Sequence, residues 1–146
     1  MIRRYGEAVQ PGRSYTRRPG AYAILWDGDA MLTTFQSEPE PELQLPGGGI
    51  DPGEHPVQAL HREVMEETGW AISSPRRLGA FRRFVYMPDY DLWAEKLCHI
   101  YVARPVLRRS APTEPHHTAI WTAPSDALAM LGNEGDADFV RAYFGL

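Results

Sequence analysis

The sequence predicts an α/β fold: a central mixed β-sheet with helices on both faces. Short apolar runs alternate with amphipathic stretches along the chain. Some of those runs are joined by tight turn signals, which makes neighbouring strands antiparallel, so the sheet is not purely parallel. One stretch, residues 56–68, carries a clear helical period between a proline start and a glycine stop.

The elements follow in order. The 146 residues fit one domain, 1–146. Residues 1–19 read as a polar N-terminal arm or edge segment, with Pro11-Gly12 and Pro19-Gly20 as breakers. Residues 21–26 are an apolar strand, Asp27-Gly28-Asp29 a hairpin turn, and residues 30–35 the returning strand. A loop rich in proline and glutamate, residues 37–42, leads to a brief strand, 43–45, stopped by Pro46 and the run Gly47-Gly48-Gly49. Pro56 suits a first helical turn, where its missing N–H is not needed, and Gly69 suits the C-terminal stop. Residues 78–86 and 97–106 are strand-like, with an aromatic and acidic loop, 87–95, between them. A short strand, 118–122, precedes helices over 125–131 and 137–144, with Ser125 and Asp136 as expected N-caps.

Composition narrows the function classes. Hydrophobic residues make up 43% and charged residues 23%, enough apolar surface to build a real core. No stretch of about 18 apolar residues is present, and the basic N-terminus lacks a following apolar run, so a cytoplasmic protein without a membrane span is expected. A net charge of −4 argues against an extended nucleic-acid surface. The single cysteine, Cys98, sits in a strand-like run and reads as a small core residue. His116 and His117 are adjacent in a polar loop and read as solvated, with assistance to a carboxylate base as the alternative.

The helix over 56–68 holds the chemistry. At about 100° per residue, Val57, Leu60, Val64 and Thr68 form one core-facing stripe. Glu63, Glu66 and Glu67 crowd the edge beside it, and like charges at such spacings cost helix stability. Hard divalent cations such as Mg²⁺ or Mn²⁺ are the natural offset, because they take oxygen ligands. The three glycines admit close approach of the backbone to a metal or a phosphate.

The joint spacing carries a resemblance. Gly48, Glu54, Arg62-Glu63-Val64, Glu66-Glu67 and Gly69 stand as they do in the signature box of the Nudix (MutT-like) hydrolases. The final position of the box, usually aliphatic, is Trp70 here, which implies altered packing and not lost chemistry. The lead-in Leu45-Pro46-Gly47-Gly48 and the stretch from Glu114 to Trp121 are also similar to the family. The resemblance implies a Nudix-type α/β/α sandwich with a central mixed β-sheet. It implies that Glu63, Glu66 and Glu67 bind Mg²⁺ or Mn²⁺, that the carbonyl of Gly47 or Gly48 completes the site, and that Glu54 joins through water or serves nearby. Arg62 would orient a glutamate. Glu67 is the first choice for general base, with Glu114 second. The implied reaction is attack of water on a phosphorus of a nucleoside diphosphate linked to another group.

The box fixes chemistry and leaves the leaving group open. Nucleoside triphosphates, dinucleoside polyphosphates and nucleotide sugars all remain. Residues 81–93, above all Arg83 and Tyr86, and the arm before Tyr22 are expected to choose among them, since arginines grip phosphates and aromatics stack on bases. Tyr86 follows Trp70 at a distance similar to a marker of dinucleoside-polyphosphate hydrolases in this family. A homodimer is left open. The alternative is a catalytically inactive nucleotide-sensing Nudix module, against which the complete set of box glutamates argues.

Overall fold

The computed structural model describes residues 2–146. The strands are β1 (Arg3–Gly6), β2 (Thr16–Trp26), β3 (Met31–Gln36), β4 (Glu42–Gln44), β5 (Gly47–Gly49), β6 (Trp70–Met87), β7 (Leu92–Arg108) and β8 (His117–Thr122); the helices are α1 (Pro56–Thr68), α2 (Pro124–Met130) and α3 (Glu134–Phe144). One sheet holds all eight strands in the order β1-β6-β7-β2-β3-β4, with β5 on β2 and β8 on β3. β1 joins β6, and β2 joins β7, in parallel; the remaining pairs are antiparallel. The sheet is therefore mixed, as the tight turns require.

Strand alternation splits the core between two faces. On one face Leu60 and Val64 of α1 meet Ala21, Ala23 and Leu25 of β2 and Tyr101 and Ala103 of β7. On the other, Ala127 of α2 and Val140 of α3 meet Ile24, Met31, Leu45 and Val102. Cys98 is buried beside Phe81 and Ile100, a core residue as expected. Among the described residues no helix is long and apolar enough to cross a membrane.

Several expected boundaries are corrected. The arm is partly strand: β1 is the sheet edge, and β2 runs straight through Pro19-Gly20. Pro19 breaks nothing because pairing with β5 begins one residue later, at Gly20, and its carbonyl accepts from the Ile50 N–H at 3.0 Å. β6 and β7 extend well beyond residues 78–86 and 97–106, so the expected loop over 87–95 shrinks to a turn around Pro88–Tyr90. Register shifts between Ala71/Ile72, Ser73/Arg76 and Arg77/Gly79 explain the missed first part of β6, since bulges erase the two-residue alternation by which a strand is recognised. Neither expected N-cap holds. Pro124 starts α2 with Ala123 as its cap, and Asn133 caps α3 by accepting from the Gly135 and Asp136 N–H groups.

Candidate active site

The site begins with the ends of α1. His55 Nδ1 accepts from the Val57 N–H at 3.1 Å, Pro56 opens the first turn, and Gly69 at φ 77° closes the last by donating to the Met65 carbonyl. With Leu60 and Val64 anchored in the core, the helix edge that faces β5 carries Glu63, Glu66 and Glu67.

Glu67 is the innermost of these, only 6% exposed. Its Oε1 accepts from the Gly47 N–H at 3.0 Å. Burial pushes its carboxyl well above the usual range; the Gly47 hydrogen bond opposes this, and the fields of Glu63, Glu114 and Glu66 add to it. Burial, set against the Arg62 guanidinium, also raises the carboxyl of Glu63. On the far side of Glu67 stands His117, whose Nδ1 lies 3.8 Å from Glu67 Oε2 and 2.9 Å from the Thr34 hydroxyl. The His117 side chain is only 8% exposed, which overturns the solvated reading; His116, on the same turn, is exposed as expected. Burial lowers the pKa of His117, which favours the neutral ring.

Arg62 organises the other half. Its Nε and Nη2 donate to the two oxygens of Glu54 at 3.0 and 2.9 Å, its Nη1 donates to Glu63 Oε1 at 2.9 Å, and its Nη2 also reaches the Gly49 carbonyl at 3.0 Å. One guanidinium thus ties loop, helix and glycine turn together through a fork that only arginine presents. Glu54 also accepts from the Asp51 N–H at 3.0 Å. Arg62 first, then that N–H, hold its carboxyl down at about 2. Glu54 therefore stands as an anchored anion whose oxygens are already engaged by Arg62 and Asp51.

The glycine run is required by space. Gly47 adopts φ 145°, and a Cβ there would meet the Ala21 carbonyl oxygen at 2.1 Å. A Cβ on Gly48 would meet the Glu63 carboxylate at 2.5 Å. Helix and turn therefore face each other with no side chain between them.

The donor set is carboxylate and carbonyl oxygen, the chemistry that Mg²⁺ and Mn²⁺ take. Among the described residues no three acidic, histidine or cysteine side chains converge as a closed ligand shell. Glu63 and Glu66 lean on Arg62, at 2.9 and 3.5 Å, while Glu67 turns to Gly47. These carboxylates share one field, with Glu67 feeling Glu63, Glu114 and Glu66 together, so a hard cation fits the charge that they concentrate.

Glu114 is exposed on the rim, fixed there by two backbone bonds, since the N–H groups of Thr113 and Glu114 both donate to the Glu66 carbonyl at 2.8 Å. Arg83 lies elsewhere, on the sheet face shared with Phe81 and α3. Tyr86 is near the tip of the β6–β7 hairpin, with its ring beside Trp93 and its hydroxyl bonded to Asp91, not to a box glutamate. Trp70 meets Trp121 edge to face at 5.4 Å. Together with Arg108 and His117 they line an open groove of about 450 Å³, so the tryptophan at the end of the box builds a wall that an aliphatic residue would not. Sequence reasoning missed Thr34 and His117 as neighbours of Glu67. The one available signal was that His117 directly precedes the expected strand over 118–122, and the structure includes it in β8.

Comparison with known proteins places this arrangement. The NUDIX domain profile matches residues 16–143. A putative 8-oxo-dGTP diphosphatase of Bacillus subtilis is 30% identical over 74 residues, covering 51% of this chain and 50% of that protein. An RNA pyrophosphohydrolase of Dinoroseobacter shibae is 35% identical over 83 residues, covering 56% and 50%. The matched stretch thus spans about half the length of these curated relatives. Among solved structures, a NUDIX hydrolase from Nitrosomonas europaea superposes with a TM-score of 0.72 at 18% identity over 89% of this chain and 90% of that one. With the profile spanning nearly the whole chain, and the box residues gathered around Glu67 and Arg62 in a mixed sheet between helices, the chain belongs to the NUDIX domain family.

Proposed function

We propose that this chain is a divalent-metal-dependent pyrophosphohydrolase that cleaves a nucleoside diphosphate linked to another group. The observation that carries the reading is the buried carboxylate of Glu67, held by the Gly47 N–H at 3.0 Å within the field of Glu63, Glu66 and Glu114. Relatives named as a diphosphatase and as RNA pyrophosphohydrolases support the same bond type. Glu63, Glu66 and Glu67, with the carbonyl of Gly47 or Gly48, are the residues that would hold Mg²⁺ or Mn²⁺. When bound, such an ion neutralises phosphate charge and acidifies water. Glu67 is the general base of this reading: burial raises its proton affinity toward the range in which a carboxylate can take a proton from attacking water. Glu114, exposed on the rim, is the second choice. Arg62 keeps Glu63 and Glu54 in place and does not touch the reacting atoms. The sensing-module alternative has no observation in its favour, since every box carboxylate is present and engaged.

The test is a panel of nucleoside triphosphates, dinucleoside polyphosphates and nucleotide sugars, run with Mg²⁺ or Mn²⁺ in ¹⁸O-labelled water. Label is expected on phosphorus in one phosphate-bearing product, with loss of turnover in chelator and recovery on adding the metal. Label on carbon, orthophosphate as the primary product, or full activity in chelator would overturn the reading.

A further inference from the structure

Oε2 of Glu67 is the oxygen that the glycine turn leaves open. Oε1 takes the Gly47 N–H at 3.0 Å, while among the described residues no donor reaches Oε2 within hydrogen-bond distance. The basic side chain within ion-pair distance of Glu67 is His117, whose Nδ1 lies 3.8 Å from Oε2. That separation is a contact and not a hydrogen bond. A carboxylate held by one oxygen can still pivot about its Cγ–Cδ bond, whose torsion has broad wells. The group that stands beside Oε2 therefore decides where that oxygen points.

The ring beside it is held from the sheet. His117 Nδ1 and the Thr34 hydroxyl share a hydrogen bond of 2.9 Å, and Thr34 is fully buried. β8 is tied down at this point: the Ser37 N–H donates to the His116 carbonyl at 2.9 Å, and His117 is in register with Gln36 of β3. Thr34 comes from β3, His117 from β8 and Glu67 from α1, so the contact joins two strands to the helix that lies on them. The plain alternative is that His117 serves Thr34 alone, giving a buried hydroxyl its partner. The geometry joins the two tasks, because the ring nitrogen that meets Thr34 is also the one that faces Oε2. A hydrocarbon side chain in its place would press on a buried carboxylate and disfavour this orientation.

We propose that His117, held by Thr34, is a positioning residue that fixes Oε2 of Glu67 in the direction from which the carboxylate meets a divalent ion or an attacking water. This rests on the pyrophosphohydrolase reading for what Glu67 does, and on the contact alone for where Glu67 points. His117 itself touches no reacting atom.

Leucine and asparagine are close in shape, and only asparagine offers polar atoms near the place of Nδ1. His117→Leu should lower kcat at least about tenfold, the scale for groups that orient metal ligands, and leave KM for the nucleotide unchanged. His117→Asn should recover most of the loss. In the metal-free protein the Gly47 amide reports on the same carboxylate, since its N–H is bonded to Oε1. In ¹H–¹⁵N spectra that signal should move in His117→Leu and return toward its parent position in His117→Asn. The double variant Thr34→Val with His117→Leu removes the orphaned hydroxyl and should regain stability without regaining kcat. Recovery of kcat in the double variant would show that His117 serves Thr34 alone. His116→Asn changes the exposed neighbour, at a φ of 67° that asparagine tolerates, and should leave both kcat and the Gly47 signal unchanged. Equal losses there, a parental kcat in folded His117→Leu, or an unmoved Gly47 signal would each overturn the proposal. Melting curves check each variant's fold; should His117→Leu not fold, Thr34→Val alone decides, with a moved Gly47 signal and a lower kcat expected and parental values overturning it. Should the parent turn over no nucleotide, the hydrolase reading fails, and the Gly47 signal still decides the positioning.

Discussion

The backbone N–H of Gly47 donates to Glu67 Oε1 at 3.0 Å, so the glycine turn and the helix share one buried carboxylate. This separates the chemical role of Glu67 from its structural one. Glutamine keeps the accepting oxygen and loses the acid–base and metal chemistry. Glu67→Gln should therefore lower kcat by at least about 10²-fold while its melting temperature stays near the parent's. Glu67→Ala leaves the buried Gly47 N–H without a partner and should cost about 1–3 kcal/mol in denaturant unfolding as well. Normal turnover by a folded Glu67→Gln variant would remove Glu67 from the mechanism.

Arg62 uses three nitrogens on Glu54, Glu63 and Gly49, a geometry that an ammonium cannot copy. Arg62→Lys keeps the charge and should still lose about 10–100-fold in metal affinity or activity, the scale for groups that orient metal ligands. Mn²⁺ titration followed by electron paramagnetic resonance measures the affinity directly. An unchanged Mn²⁺ affinity and kcat in Arg62→Lys would show that charge alone suffices.

The adjacent glycines should fail in different ways. A Cβ on Gly48 would stand 2.5 Å from the Glu63 carboxylate, the end of a side chain that can move. Gly48→Ala should fold and lose activity as Glu63 is displaced. A Cβ on Gly47 would meet backbone, the Ala21 carbonyl oxygen at 2.1 Å, at a φ of 145° that other residues rarely adopt. Gly47→Ala should be destabilised outright, visible as a lower melting temperature. Equal stabilities for the two variants would contradict this account of the turn.

Much of this was legible in the sequence because the box reports local geometry. The helical period placed Glu63, Glu66 and Glu67 on one edge, and proline and glycine marked the ends of α1 at Pro56 and Gly69. The bulged half of β6 was not legible, since its register shifts break the alternation that marks a strand. His117 was missed because its burial comes from β3 and α1, through Thr34 and Glu67, both distant in the chain. Arg18 of β2, Lys96 of β7 and Arg83 of β6 come abreast only once three strands are in register, although Arg18 and Arg83 each stand in an arginine pair in the sequence.

Asp136 makes stability depend on pH with an unusual sign. It lies in the first turn of α3, fully enclosed, and faces Arg83 of β6, Lys96 of β7, Tyr22 of β2 and Glu42 of β4, with Cys98 nearby. Burial pushes its carboxyl up to about 7, against the pull of Arg83, the Leu45 N–H and Lys96. In the unfolded chain the same group titrates near its ordinary value, about 3.9. Between those two values the folded protein holds a proton that the unfolded chain has released, so stability falls as pH rises from about 4 to about 7 and is level above that. The slope attributable to this group is roughly 1.4 kcal/mol for each pH unit within the window. Glu54 works oppositely, but its depressed pKa of about 2 confines its effect to more acid solution. Asparagine mimics the protonated acid: it still offers an oxygen to the Leu45 N–H and never ionises. Asp136→Asn should therefore match the parent protein near pH 4 and exceed it by more than about 1 kcal/mol at pH 8. Urea unfolding of both proteins at pH 4, 6 and 8 measures the difference. Stabilities that run parallel across that range would show that Asp136 ionises freely inside the fold.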